Sequence, residues 1–243
     1  MKQLNAFINE KLIIHKDIDY EIYKPNDKDE LIDILKERWE SKEQIKQGAY
    51  ALDVSRIDVS KLTDIGHIFD FLDTYEKISI KELHGIDEWD VHNIENMSGL
   101  FANLGIKSID VSNWDVRELR FAMSMFSDCL GLKEVIGLEK WKTSNLQVIT
   151  FMFNECRNLE KVDISTWDTQ NVHVALGMFN ECRSLKTVGD IADWNLKKMQ
   201  SVEQMFYNCK KLKLDIRKWK LTYLSTHISH YSINSFADFV KID

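Results

Sequence analysis

"FMFNEC" at 151–156 returns as "GMFNEC" at 177–182. A short apolar phrase rewritten at a fixed interval marks an array of stacked units, in which each layer fills the same core slot as its neighbour. Working outward, one constant step leads from Trp89, Trp114, Trp141, Trp167 and Trp194 to Phe101, Phe126, Phe153, Phe179 and Phe206 respectively. Trp219 leads by the same step to Tyr231, and the same step back from Phe69 reaches Ile57. Seven units therefore start near 57, 89, 114, 141, 167, 194 and 219, and the first and last are degraded. Atypical end units are expected of an array whose terminal layers meet solvent.

The Trp-to-Phe half never changes length, whereas the Phe-to-Trp half varies slightly from unit to unit and is longest between Phe69 and Trp89. Constant spacing marks packed structure, and variable spacing marks a loop. The stretch "TYEKISIKELHGIDE" (74–88) is thus expected to bulge from the array. In the fourth unit the apolar residues are Leu146, Ile149, Met152, Phe153, Cys156 and Leu159. Their spacings of 3 and 4 predict a short helix, with Ser144-Asn145 as its N-cap. "LEKVDIS" (159–165), "IKSIDVS" (106–112) and "LKLDIRK" (212–218) read as short strands. The expected fold is α/β: a leucine-rich-repeat solenoid of about seven strand-helix units of 25–27 residues over 50–231.

Before the array, "LNAFINEKLII" (4–14) and Leu31, Ile34, Leu35 and Trp39 form helical stripes, separated by Pro25-Asn26-Asp27. Residues 1–49 read as a helical N-terminal cap on the first repeat, with a separate adaptor role as the alternative. Residues 232–243 are left as a C-terminal tail.

These units resemble the bacterial BspA-like leucine-rich repeats of the DUF285 type, whose pattern resembles L-x-x-L-D-[LI]-S-x-W-[DN]-[TV]-x-x-[VM]-x-x-M-x-x-M-F-x-x-C. "LEKVDISTWDTQNVHVALGMFNEC" (159–182) follows most of it, and the resemblance covers about 50–231. It implies a non-catalytic interaction protein. Many such proteins are secreted or surface-bound, whereas members without a signal peptide resemble proteins carried by bacteriophages. The expected function is recognition of a protein partner through the exposed sheet face or the 74–88 insertion. The alternatives are a phage-encoded structural or assembly component, with possible self-association, and a surface adhesin-like protein.

Composition narrows the classes. The chain has 243 residues and a net charge of −7. Residues 51–120 carry 7 basic and 14 acidic side chains, and residues 121–243 carry 16 and 14. An acidic chain is ill suited to non-specific nucleic-acid binding, which needs Lys and Arg on phosphates. No run of 18 apolar residues is present to span a membrane. The first residues lack a signal peptide's apolar core, so the expected location is the cytoplasm of the producing cell.

Each candidate for chemistry carries a plainer reading beside it. Cys129, Cys156, Cys182 and Cys209 each stand three after a motif Phe, so they recur once per unit. A line of thiols does not converge on one metal. They read as a buried reduced ladder, with oxidation of neighbouring pairs as the alternative. The tryptophans read as interlayer packing rather than a ligand platform. Asp53, Asp110, Asp163, Asp190 and Asp215 each lie four before the motif Trp or its Ile57 equivalent. They are expected as a carboxylate row on the exposed sheet face, either a recognition surface or a solvated face. Asp110, Asp163, Asp190 and Asp215, with Lys161 and Lys213 on the same segments, are the candidate partner-binding residues. The Lys-rich stretch 197–220 reads as a solubilising surface or a site for an acidic partner. The seven histidines form no metal-ligand spacing, and no phosphate loop, dinucleotide fingerprint or nucleophile elbow occurs. No catalysis, cofactor, metal or small-molecule substrate is expected.

Overall fold

A computed structural model describes residues 22–40, 51–71, 80–216, 218 and 219. The predicted helix at 4–14 and the tail at 232–243 lie outside the described residues. Successive units lie on one another as layers, numbered here 1 to 7 from Ile57 to Trp219. Parallel bridges join them along two lines, a strand ladder interrupted between layers 2 and 3 and a second ladder continuous from layer 1 to layer 6. In the strand ladder, β1 (Ala51–Asp53) pairs with β2 (Glu82–His84), and β3 (Ser108–Asp110) pairs with β4 (Glu134–Ile136). Single bridges carry it on from Glu134 to Lys161 and from Lys161 to Thr187. The second ladder runs through the residue seven after each Trp or its equivalent: Asp64, Asn96, Phe121, Val148, Val174 and Ser201.

The predicted apolar set is the core. Leu146, Ile149, Met152, Phe153, Cys156 and Leu159 are all buried, as are their counterparts in neighbouring layers. The element that carries them is not the predicted helix. Among the described residues the one α-helix is α1 (Lys28–Glu40), and the stretch from Ile149 to Leu159 is a chain of turns. Met152 N–H donates to Ile149 O, Asn154 N–H to Phe151 O, and Cys156 N–H to Phe153 O, closing overlapping i→i+3 turns. The intervening N–H groups leave the layer. Those of Ile149, Phe151, Phe153 and Glu155 donate to Val174, Leu176, Met178 and Asn180 of the next layer at 2.8–3.0 Å. A helix spends its N–H groups on its own carbonyls four residues back. Here every second one is committed to a neighbour, which a helix cannot supply. Backbone handedness enforces the difference. The tenth residue after each Trp or its equivalent has positive φ in His67, Gly99, Ser124, Phe151, Gly177 and Gln204, and so does the fourteenth in Asn103, Asp128, Glu155, Glu181 and Asn208. A left-handed residue at the third position of a turn bends the chain where a helix would continue.

The aromatic rings stack through the array. Phe126, Phe153, Phe179 and Phe206 have centroids 5.0–5.6 Å apart and planes within 6°. Trp141, Trp167 and Trp194 stack at 6.0–6.5 Å. These separations follow from parallel ladders about 4.8 Å apart, with the rings slipped sideways as their quadrupoles prefer. Each indole also donates Nε1–H to a carbonyl of the preceding layer: Trp114 to Ile86, Trp141 to Val111, Trp167 to Leu138 and Trp219 to Ile191.

The strand halves alternate in design. Layers 1, 3, 5 and 7 turn into the Trp or its equivalent through an Asp alone. Layers 2, 4 and 6 use Gly85, Gly137 and Gly189 at φ +79, +97 and +80, and layer 6 adds Asp190 after its glycine. In layers 2 and 4 that glycine opens a 3-10 turn, Ile86–Glu88 or Leu138–Lys140. A Cβ at Gly137 would collide with the Ser112 backbone, so the chain crosses its neighbour at a distance only glycine allows. The expected bulge at 74–88 is thereby corrected in its second half. Glu82–His84 is a ladder strand and Ile86–Glu88 a turn of layer 2, while 72–79 lies outside the described residues.

At the N-terminal side, Asp27 Oδ1 accepts the Glu30 N–H at 2.9 Å, and Glu30 Oε2 accepts the Asn26 N–H at 2.8 Å. Asp27 thus caps the start of α1, and Glu30 reaches back to the residue before the cap. Leu31 and Leu35 are fully buried in the same core as layer 1, and Arg38 donates to the carbonyls of Asp53 and Ser55.

The stack sets two expected costs. Phe153→Ala should lower unfolding free energy by about 3–5 kcal/mol. Trp167→Phe, which keeps a ring but removes the indole donor to the Leu138 carbonyl while the Trp141 N–H still satisfies that carbonyl, should cost about 0.5–1.5 kcal/mol. Denaturant unfolding measures both, and equal values for the two would contradict this division of roles.

Candidate functional site

The strand ladder presents the predicted site residues as exposed or half-buried side chains. Asp110, Asp163, Asp215, Lys161 and Lys213 face solvent, and so does Asp190 beside Gly189. They do not form a carboxylate row. The partner of Asp110 in the next strand is Ile136, and Gly189 lies against Asp163, where a Cβ would collide with the carboxylate. The Asp design and the Gly design alternate, so the layers above and below Asp163 offer no carboxylate at its position.

The aspartates instead act on their own backbone. Asp53, Asp110, Asp163 and Asp190 each accept, through Oδ1, the N–H two residues on: Ser55, Ser112, Ser165 and Ala192, at 2.8–3.0 Å. These are Asx turns, which fix the corner into the Trp. Hydrogen bonds from Ser112 hold the Asp110 carboxyl below its ordinary value, as those from Ser60 do for Asp58. Lys161 pairs with Glu134 at 2.8 Å, and Lys218 pairs with Asp193 at 2.8 Å. Exposed pairs of this kind contribute little to stability. Within the Lys-rich stretch, Lys198 donates to Asn171, while Arg217 and Lys220 lie outside the described residues.

The four cysteines are buried and free. Each thiol donates to the carbonyl of the Phe one layer back: Cys129 to Phe101, Cys156 to Phe126, Cys182 to Phe153 and Cys209 to Phe179, at 2.9–3.0 Å. Burial pushes the Cys129 and Cys209 thiols up to about 12, and raises Cys156 and Cys182 likewise. Among the described residues no group of three or more His, Cys, Asp or Glu is placed to hold a metal ion. None of their helices is long and apolar enough to cross a membrane.

A different surface stands out on the turn ladder. The residues seven and nine after the Trp point away from the core, because the residue between them is buried in every layer from 1 to 6. In layers 3 to 5 they include Phe121, Met123, Val148, Val174 and Leu176, with Phe121 38% and Met123 43% exposed. The same columns read Asp64 and Gly66, Asn96 and Ser98, and Ser201 and Glu203 in layers 1, 2 and 6. The small side chains of Ser98 and Thr150, in the ninth column, are covered by their surroundings. The apolar side chains form an island bordered by layers whose same columns are polar. Phe151 completes it. Its φ is +55, and its ring lies over Gly177, where a Cβ would collide with it. A bulky residue in this region costs about 1–2 kcal/mol, at a position where layers 2 and 5 use glycine. The helical reading of the repeats hid this island, since it attends only to the buried spacing. Aligning columns seven, nine and ten after each Trp would have exposed it.

The family model described as "Mycoplasma protein of unknown function, DUF285" matches residues 41–137, 71–185 and 131–239, overlapping windows that together run from 41 to 239. No curated protein and no solved structure matches the chain.

Two outcomes follow from the turn and thiol geometry. Asp110 has a folded value below its unfolded one. The stability it contributes is therefore present above the unfolded value of 3.8 and lost as pH falls through the folded one. Asp110→Asn should flatten the acid limb of the stability–pH curve below about pH 4, as thermal melts would show. At pH 8 the four thiols should resist a disulfide-exchange reagent in the native protein and all react after denaturation.

Proposed function

We propose that this chain, which belongs to the DUF285 family, is a leucine-rich-repeat-type solenoid that serves as a non-catalytic protein-recognition module. The observation that carries the reading is the apolar island of layers 3 to 5 in columns that are polar elsewhere in the same chain. A repeat protein tests its own positions. Layers 1, 2 and 6 build the ladder with Asp, Asn and Ser at the seventh residue, so the fold does not require Phe or Val there. Exposed apolar side chains that the fold does not need, and a strained Phe151, are what a binding surface retains. The binding surface is therefore assigned to the turn ladder, and the aspartates of the strand ladder are assigned to turn geometry. Four buried cysteines free of disulfides suit a reducing compartment, and the cytoplasm of the producing cell is the proposed setting.

The test is affinity capture from lysate of the producing cells, with the wild-type chain beside the Phe121→Asn/Met123→Ser variant. Both replacements reproduce residues that layer 2 already carries, Asn96 and Ser98, so circular dichroism should be unchanged. A protein retained by the wild type and lost by the variant supports the reading, and an untagged copy of the chain counts as such a protein. Equal retention by both, or retention of nothing, overturns it.

A further inference from the structure

We infer that the occupant of the island is a second copy of this chain, joined through layers 3 to 5 in a two-fold symmetric dimer. This rests on the reading of the island as a recognition surface and names its partner.

Charge supplies the first argument. The charge is uneven, with 7 basic and 14 acidic side chains over 51–120 against 16 and 14 over 121–243, so two copies lying in opposite directions set the acidic half of each against the slightly basic half of the other. At the edge of the island, Arg120 is paired with Glu95 at 3.3 Å, and the same column continues with Gln147. A face without net charge opposes itself without electrostatic cost, whereas a charged face selects a partner of the other sign.

Shape supplies the second. A two-fold contact uses one patch twice, and residues off the axis meet different residues of the other copy. Layer 4, with Val148 and Phe151, is the middle of the island. An axis crossing it at right angles to the stack reverses the second copy, which sets layer 3 of each protomer against layer 5 of the other. Layer 3 offers the most exposed side chains, Phe121 and Met123. Layer 5 offers the half-buried Val174 and Leu176, with the Phe151 ring lying over Gly177 beside them. Projecting groups thus meet the recessed ones, and Phe151 of each copy packs near the axis. Its ring occupies the space that a side chain at Gly177 would fill.

Sedimentation equilibrium on the purified full chain tests this. The wild type should shift from 28.6 kDa towards twice that mass as concentration rises through the micromolar range, and Phe121→Asn/Met123→Ser should remain at 28.6 kDa. A wild type that stays at 28.6 kDa up to the order of 1 mM overturns the inference, as does a variant that still dimerises. Cross-linking tests the axis. Phe121→Cys mixed with Val174→Cys should form a disulfide-linked heterodimer under mild oxidation, against a background of four buried native thiols. Phe121→Cys alone should not link. If it links alone as fast as the mixture, the reversed arrangement is wrong. A monomeric chain whose island still governs capture from lysate defeats the second copy and leaves the recognition reading standing. Failure of that capture defeats the recognition reading itself.

Discussion

Every second N–H group of the turn segment must find a carbonyl in the next layer. From Ile149 to Glu155 these bonds run outward, and the N–H groups of Met152, Asn154 and Cys156 close turns within the layer. The segment is largely buried, so an unmatched backbone group there would carry its full desolvation cost. The constraint fixes the distance between layers, and that distance determines the rest. Phenylalanine rings come to rest 5.0–5.6 Å apart because the backbone has already set their spacing. Indole and thiol donors then complete the lattice by reaching one layer back. The Trp of layers 2 to 7 and the Cys of layers 3 to 6 find carbonyls in the preceding layer, as Trp167 does at Leu138 and Cys182 at Phe153.

Such an arrangement divides the surface by cause. The strand ladder carries charged side chains, but their geometry answers to the corner that follows. Asp163 holds the Ser165 N–H, and the alternating glycine layers keep the carboxylates apart. The turn ladder is the freer surface. Its outward positions hold the bridge with Asp64, Asn96 and Ser201 as with Phe121, Val148 and Val174, so the fold accepts polar and apolar residues there alike. Backbone strain points to the same place. Left-handed residues recur at fixed positions throughout, and most are Gly, Asn, Asp, Ser, Glu or Gln, whereas layer 4 puts Phe151 there.

Alternation between two kinds of layer also explains the variable half of the repeat. The glycine layers are longer between Phe and Trp because a left-handed glycine and, in layers 2 and 4, a 3-10 turn replace the direct Asp corner. The longer intervals before Trp141 and Trp194 belong to this design, and the shorter ones before Trp114, Trp167 and Trp219 belong to the other. Part of the long interval before Trp89 is then ordinary glycine-layer structure rather than insertion.

The sequence by itself determined the unit boundaries, the invariant Trp-to-Phe spacing, the buried set from Leu146 to Leu159, the start of α1 and the burial of the cysteines. These were legible because burial repeats with the chain, and a repeated apolar residue has one environment. Tertiary structure decided what the spacing of 3 and 4 meant. Tight turns and helices place apolar residues at the same intervals, and only the next layer's carbonyls show which way an N–H group turns. It also decided the fate of the aspartates, because a carboxylate four before a Trp looks alike whether it faces a partner or its own turn. The apolar island was written in the sequence all along. It became visible once the ladder showed that Phe121, Val148 and Val174 occupy one column, since neighbours in space here are a whole repeat apart in the chain.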